Sequence, residues 1–222
     1  TIAGATSLTG NLTVDGGTIK LDGNYPVGTG NVALGDAALD SLTTGGYNTA
    51  VGSGALTSNT TGIENTANGF QALYENTTGG NNTANGYRAL FYSTTGTRNT
   101  ADGFQALFNN TTASNNTAVG YQAGYLNTTG GTYSGDMTAV GYQALYGTTN
   151  SRSTGIGAYA GTSNTTGYIT AVGWGALYSN TTGTNNNAFG GNSINAEGAL
   201  QSNTTGSENT AVGSGALANN TT

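Results

Sequence analysis

The sequence predicts an all-β repeat fold, a β-solenoid or β-roll with rungs of about 17 residues. Three observations carry that expectation. First, the phrase Asn-Thr-Ala-x-Gly or a close variant begins at Asn31, Asn48, Asn65, Asn82, Asn99, Asn116, Met137, Ser153, Ile169, Asn186 and Asn209, most often 17 residues apart. Second, the unit is too short for a helical hairpin repeat, which needs about 33 residues, and it is rich in Thr, Val, Tyr and Phe. Third, only 6% of the chain is charged, yet 13 Tyr and 5 Phe recur at fixed places. Disordered chains combine high charge with few aromatics, so this composition points to order.

The first thirty residues stand apart. TSLTGNLTV and GTIKL read as two alternating strands around an Asp-Gly-Gly turn, a β-rich N-terminal adaptor over 1–30 whose seam with the repeats is marked by Pro26. The array then runs over 31–222. Two intervals are longer, 21 residues before Met137 and 23 before Asn209, so insertions near 130–136 and 191–198 loop out of a regular stack.

Numbered from its Asn, the unit reads N-T-A-x-G-(Y/F)-Q-A-L-(Y/F)-x-N-T-T-G-x-x. Positions two to six form one expected strand and positions eight to eleven a second, with N-T-T-G as a turn. Position five is Gly in all eleven copies: Gly35, Gly52, Gly69, Gly86, Gly103, Gly120, Gly141, Gly157, Gly173, Gly190 and Gly213. An obligate Gly means a positive φ or a close backbone approach. In a strand, positions three and five face one way and two, four and six the other. The Ala and Gly side thus leaves a thin interior.

Position four is apolar in eight copies, Leu34, Val51, Val119, Val140, Ile156, Val172, Phe189 and Val212, and position six adds Phe70, Tyr87, Phe104, Tyr121, Tyr142 and Trp174. A thin single roll leaves that stripe in water. Contiguous exposed apolar surface marks an interface, so the eight residues are the expected contact of lateral self-association around a common axis. Polar residues interrupt the stripe at Asn68, Asn85 and Asp102, which would form an axial polar layer needing an ion, water or Arg partners, or else stay wet. The Asn of position twelve (Asn59, Asn76, Asn110, Asn127, Asn164, Asn180, Asn203) is expected to form a rung-to-rung amide ladder.

The same composition argues against several chemistries. Four basic residues against ten acidic ones leave no electrostatic footprint for nucleic acid. Neither Cys nor His is present, so thiol chemistry and the commonest metal ligand are excluded. There is no run of about 18 apolar residues for membrane insertion. The carboxylates show no spacing that singles out a glycosidase pair, and no catalytic residue, metal or cofactor is expected. N-x-T triplets at Asn59, Asn76, Asn164 and Asn180 match a glycosylation acceptor, but the turn needs the same letters. The Thr pairs raise an ice-binding reading, against which adjacent residues of an extended segment face opposite ways.

The unit NTAVGYQAL…NTTG resembles the repeats of phage tail-fibre-like proteins, and is more distantly similar to the N-S-x-A-x-G head repeats of trimeric autotransporter adhesins. The likeness covers about 31–222. It implies a homotrimeric fibre outside the cell, on a virion or cell-surface appendage, with each chain contributing a β-roll; separately, an uncapped end rung is a strand edge and would allow joining end to end. Its partners would be itself and a host glycan or receptor. Tyr at positions six and ten could stack on sugars, so the alternative is a glycan- or receptor-binding head, whose irregularity would gather at the insertions near Tyr133 and Asn195.

Overall fold

In the computed structural model, residues 28–128, 135–149, 152–191 and 197–222 are described. The expected 1–27 portion of the adaptor, with Pro26, lies outside them, as do Tyr133 and Asn195 at the insertions. The described residues form an all-β parallel solenoid without a helix. Eleven short strands follow in chain order: β1 (Val32–Leu34), β2 (Thr49–Val51), β3 (Thr66–Asn68), β4 (Thr83–Asn85), β5 (Thr100–Asp102), β6 (Thr117–Val119), β7 (Thr138–Val140), β8 (Thr154–Ile156), β9 (Ile169–Val172), β10 (Asn186–Phe189) and β11 (Thr210–Val212). They make one sheet in sequential order, each strand parallel to the next and in register, so position two meets position two and position four meets position four.

Each rung therefore has one strand, where the sequence predicted two. The chain over positions seven to eleven pairs from rung to rung in a different way. Gln71, Arg88, Gln105, Gln122 and Gln143 at position seven, and Leu56, Leu73, Leu90, Leu107 and Leu145 at position nine, all have φ between 49° and 54°. Alternating the hand of successive residues turns the intervening peptides along the rod axis. The position-seven N–H then donates to the rung below (Gln71 N to Ser53 O, 2.9 Å) and the position-nine N–H to the rung above (Leu73 N to Ala89 O, 3.0 Å). Left-handed φ costs about 1–2 kcal/mol for a non-Gly residue, and the paired ladder plus burial of each Leu offsets it.

The core is a thin column. Ala at positions three and eight and Leu at position nine are fully buried through the middle of the stack (Ala67, Ala72, Leu73; Ala84, Ala89, Leu90). Two amide ladders complete it. The expected one at position twelve is present in two stretches: Asn76 Nδ2 donates to Asn59 Oδ1 at 2.9 Å and to Gly79 O at 3.1 Å, and Asn180 and Asn203 continue it above Asn164, while Asn110 and Asn127 do not join it. A second runs through position one: Asn65 Oδ1 accepts from both the backbone N–H (3.0 Å) and the amide (3.1 Å) of Asn82, whose amide also donates to Gly96 O at 2.8 Å. Stacking supplies partners to most of these buried amides, whereas Asn76 Oδ1, Asn110 Oδ1 and both polar side-chain atoms of Asn127 have none.

Position five is where Gly is unavoidable. Gly86 has φ +129°, and a Cβ there would sit 2.6 Å from the carbonyl oxygen of Gly103 in the next rung. Both reasons inferred from the sequence hold together, although these glycines turn the corner after the strand and do not line the interior.

Volume is conserved where the repeat varies. Gly124 and Gly161 replace the core Leu of position nine, and in the rung that follows each the buried Asn of position one is replaced, by Met137 after Gly124 and by Ile169 after Gly161. A Cβ on Gly124 would run into Met137 Cε and lie 3.2 Å from Leu107 Cδ2; one on Gly161 would lie 2.6 Å from Ile169 Cδ1. The larger apolar side chains occupy the space the glycines vacate.

Candidate functional site: the outward strand face

Alternation along each three-residue strand turns position three inward and positions two and four outward, seen as an exposed-buried-exposed pattern in β3, β4, β5, β6 and β11. In-register pairing converts single positions into rows along the rod. Leu34, Val119, Ile156, Phe189 and Val212 of the predicted axis are exposed, from 37% at Val119 to 73% at Val212, while Val51, Val140 and Val172 are partly covered. The stripe read from the sequence is thus an outward ridge of the single chain.

Asn68, Asn85 and Asp102 point outward in the same row. They join along the axis, Asn68 Nδ2 donating to Asn85 Oδ1 at 3.4 Å and Asn85 Nδ2 to Asp102 Oδ1 at 3.0 Å. The arginines of the same region do not join them in the contacts seen: Arg88 Nε donates to Gln71 Oε1 at 2.8 Å on another flank. Among the described residues no group of three or more His, Cys, Asp or Glu could hold a metal ion, and no helix is long and apolar enough to cross a membrane.

Beside the aliphatic row runs the aromatic row that the sequence placed on the same outward side. At position six, Phe70, Tyr87, Phe104, Tyr121 and Tyr142 stack with centroids 5.0–5.5 Å apart and planes 6–14° from parallel. A second ladder at position ten joins Tyr74, Phe91, Phe108, Tyr125 and Tyr146. Between them lies an amide row, in which Gln122 Nε2 donates to Gln105 Oε1 and Gln143 Nε2 to Gln122 Oε1, both at 2.9 Å. Each ring face is covered by the next ring, so a sugar has no face to stack on until a ladder ends. Burial raises the phenol of Tyr125 above its ordinary value, with the Tyr146 and Tyr92 phenols adding to the shift and the Asn109 amide opposing it. Desolvation and the neighbouring Tyr142 raise Tyr159.

On the opposite flank, the N-x-T triplets are used by the fold. Asn59, Asn76, Asn164 and Asn180 are fully buried, and the Thr that follows donates its hydroxyl to the next rung, as Thr60 Oγ1 does to Thr77 O at 2.9 Å. A glycan could not reach these amides in the folded chain. Sequence reasoning missed the threonine rank of position two, eight consecutive in-register residues from Thr49 to Thr170 on the strand face. Its signal was present in the second letter of each Asn-Thr-Ala phrase.

No family model, curated protein or solved structure matches the chain.

Proposed function

We propose that the chain is a rigid shaft or spacer segment of an extracellular fibre, a tail fibre or surface adhesin, in which three parallel copies pack through the position-four row. The observation that carries this reading is the outward position-four row from Leu34 to Val212 on one continuous sheet, apolar except at Asn68, Asn85 and Asp102. Eleven strands at ~4.8 Å make that face ~50 Å long, and the three residues of most strands at ~3.3 Å each make it ~10 Å wide. Its flat projection of ~500 Å² is below the ~800 Å² per partner of a standard stable interface, so the adjoining position-six aromatic row would have to share the contact. Stiffness comes from the backbone ladders along the rod and needs no globular core. The repeat motif's resemblance to tail-fibre and adhesin-head sequences supports the same role, and no catalytic constellation is required for it.

The test is the mass of the intact chain in solution by light scattering, with and without the pair Val119→Lys and Val140→Lys. Both side chains point out of the fold, so the pair leaves the solenoid intact by circular dichroism while dissociating the trimer. A chain that is monomeric before substitution would overturn the proposal.

One observation favours a second reading. The rank of eight threonines at regular strand spacing is the kind of surface an ice-binding solenoid presents. Thermal hysteresis of a dilute solution separates the two readings, since a shaft has no effect on ice growth.

A further inference from the structure

We infer that an ordered water molecule is built into the interior of the rod at Ser93, in the rung of β4, where it stands in for a side-chain amide. The neighbouring rungs show what that amide does. The position-fifteen carbonyl takes two amide donors: Gly79 O accepts from Asn65 Nδ2 at 2.8 Å and from Asn76 Nδ2 at 3.1 Å, and Ala113 O accepts from Asn99 Nδ2 at 2.9 Å and from Asn110 Nδ2 at 3.0 Å. The position-twelve amide also donates to the rung below, as Asn76 Nδ2 does to Asn59 Oδ1 at 2.9 Å. In the β4 rung position twelve is Ser93. Gly96 O keeps its bond from Asn82 Nδ2 at 2.8 Å but has lost the second donor. Asn76 Oδ1 and Ser93 Oγ are left without a protein partner.

The rungs do not close up over the shorter side chain. Thr60 N to Thr77 O and Thr77 N to Thr94 O are both 2.9 Å. A Cβ added to Gly62 would stand 2.4 Å from Gly79 O, and one added to Gly79 would stand 2.4 Å from Gly96 O. The first would also meet Asn76 Nδ2 at 2.9 Å, whereas the atoms nearest the second include none of Ser93. Serine lacks the amide carbon and nitrogen of asparagine, so at unchanged spacing the space given up is comparable to a water's share of liquid volume, about 30 Å³. Asn76, Ser93 and Asn110 are all fully buried, so bulk solvent does not reach the site. A water at the place of the amide nitrogen donates its hydrogens to Asn76 Oδ1 and Gly96 O and accepts the Ser93 hydroxyl. Three bonds is the usual number for a buried water. No acidic side chain is buried among the described residues, so a metal cation at these oxygens would lack a countercharge, and the neutral donor is the ligand that fits.

The test is a high-resolution crystal structure of the intact chain and of Ser93→Asn, paired with oxygen-17 relaxation dispersion of the solvent, which detects waters held inside a protein. The expected density in the parent is a solvent atom within about 3.2 Å of Asn76 Oδ1, Gly96 O and Ser93 Oγ. In Ser93→Asn the introduced amide nitrogen makes the same bonds and releases the water, and the dispersion amplitude falls by about one long-lived molecule. If the variant fails to fold, the parent structure decides alone. A Ser93 hydroxyl bonded directly to Asn76 Oδ1, a parent site without density, or equal dispersion amplitudes in the two chains would each overturn the inference. Contacts of about 2.3–2.6 Å to the same oxygens would mark a metal cation and overturn it as well.

Discussion

Replacing Gly86 by Ala tests the logic of the stack at the position the sequence singles out most sharply. Two costs arise from one methyl group. At φ +129° an L side chain is strained, which costs about 1–3 kcal/mol. The Cβ would also stand 2.6 Å from Gly103 O and 2.8 Å from Gly103 C, backbone atoms that β5 and the next rung hold in place. Overpacking against such a neighbour adds about 1–3 kcal/mol. Together they give a loss of about 4 kcal/mol, enough to part the solenoid between two rungs, because each rung is supported only by its neighbours. Gly213 supplies the control: its φ is +115°, but no atom lies within 4 Å of the added Cβ. Gly213→Ala should cost only the strain, about 1–2 kcal/mol. Equilibrium urea unfolding followed by circular dichroism, with the slope compared between variants, measures both. Equal losses at Gly86 and Gly213, or a Gly86→Ala variant within 1 kcal/mol of the parent, would refute the close-approach reasoning.

Other expectations follow from the interior and the surface. Ser93 interrupts the position-twelve ladder and leaves Asn76 Oδ1 and its own hydroxyl without partners, so Ser93→Asn should stabilise the chain by about 1 kcal/mol in the same urea assay. Gly124→Leu alone should destabilise by about 1–3 kcal/mol because Met137 fills that space; adding Met137→Asn should recover part of the loss, a coupling read from a double-mutant cycle. The raised Tyr125 phenol makes stability pH-dependent on the alkaline side. Its contribution is intact below the unfolded value of 10.0 and falls as pH rises through the higher folded value, which thermal melts alongside phenolate absorbance will show. Expressed through a eukaryotic secretory pathway, where acceptor Asn residues are modified before folding, a glycan at Asn59, Asn76, Asn164 or Asn180 should block folding, so the fraction with a native circular dichroism spectrum should carry none by mass spectrometry, because all four are fully buried.

The solenoid, its rung length and the obligate glycines were legible because a stacked fold repeats its sequence constraints at the period of the rung. Position five was readable from Gly86 and its ten equivalents alone. The single strand per rung was not, because Ala-Leu-Tyr at positions eight to ten has the composition of a strand, while rung-to-rung pairing with left-handed φ at Leu73 is a tertiary requirement that overrides local preference. A clue existed: Gly54 and Gly175 replace Gln at position seven, and Gly124 and Gly161 replace Leu at position nine, where only positive φ is common to them. Burial of the position-one Asn was likewise hidden by its polarity. Its exchange for Met137 and Ile169, 1% and 3% exposed, was the sequence sign of an interior site. The outward row at position four was correctly read from alternation. The aromatic ladders were placed, but their face-to-face stacking, which removes the ring faces from solvent, depends on strand register.

The most direct test of the fibre proposal is a distance between copies. The chain lacks Cys, so a single spin label can be placed at Thr49→Cys, Thr117→Cys or Thr170→Cys, on the strand face beside the position-four row and clear of it. Parallel, in-register packing requires the same inter-chain distance in the dipolar spectra at all three rungs. A distance that changes from rung to rung, or the absence of any inter-chain distance, would contradict it.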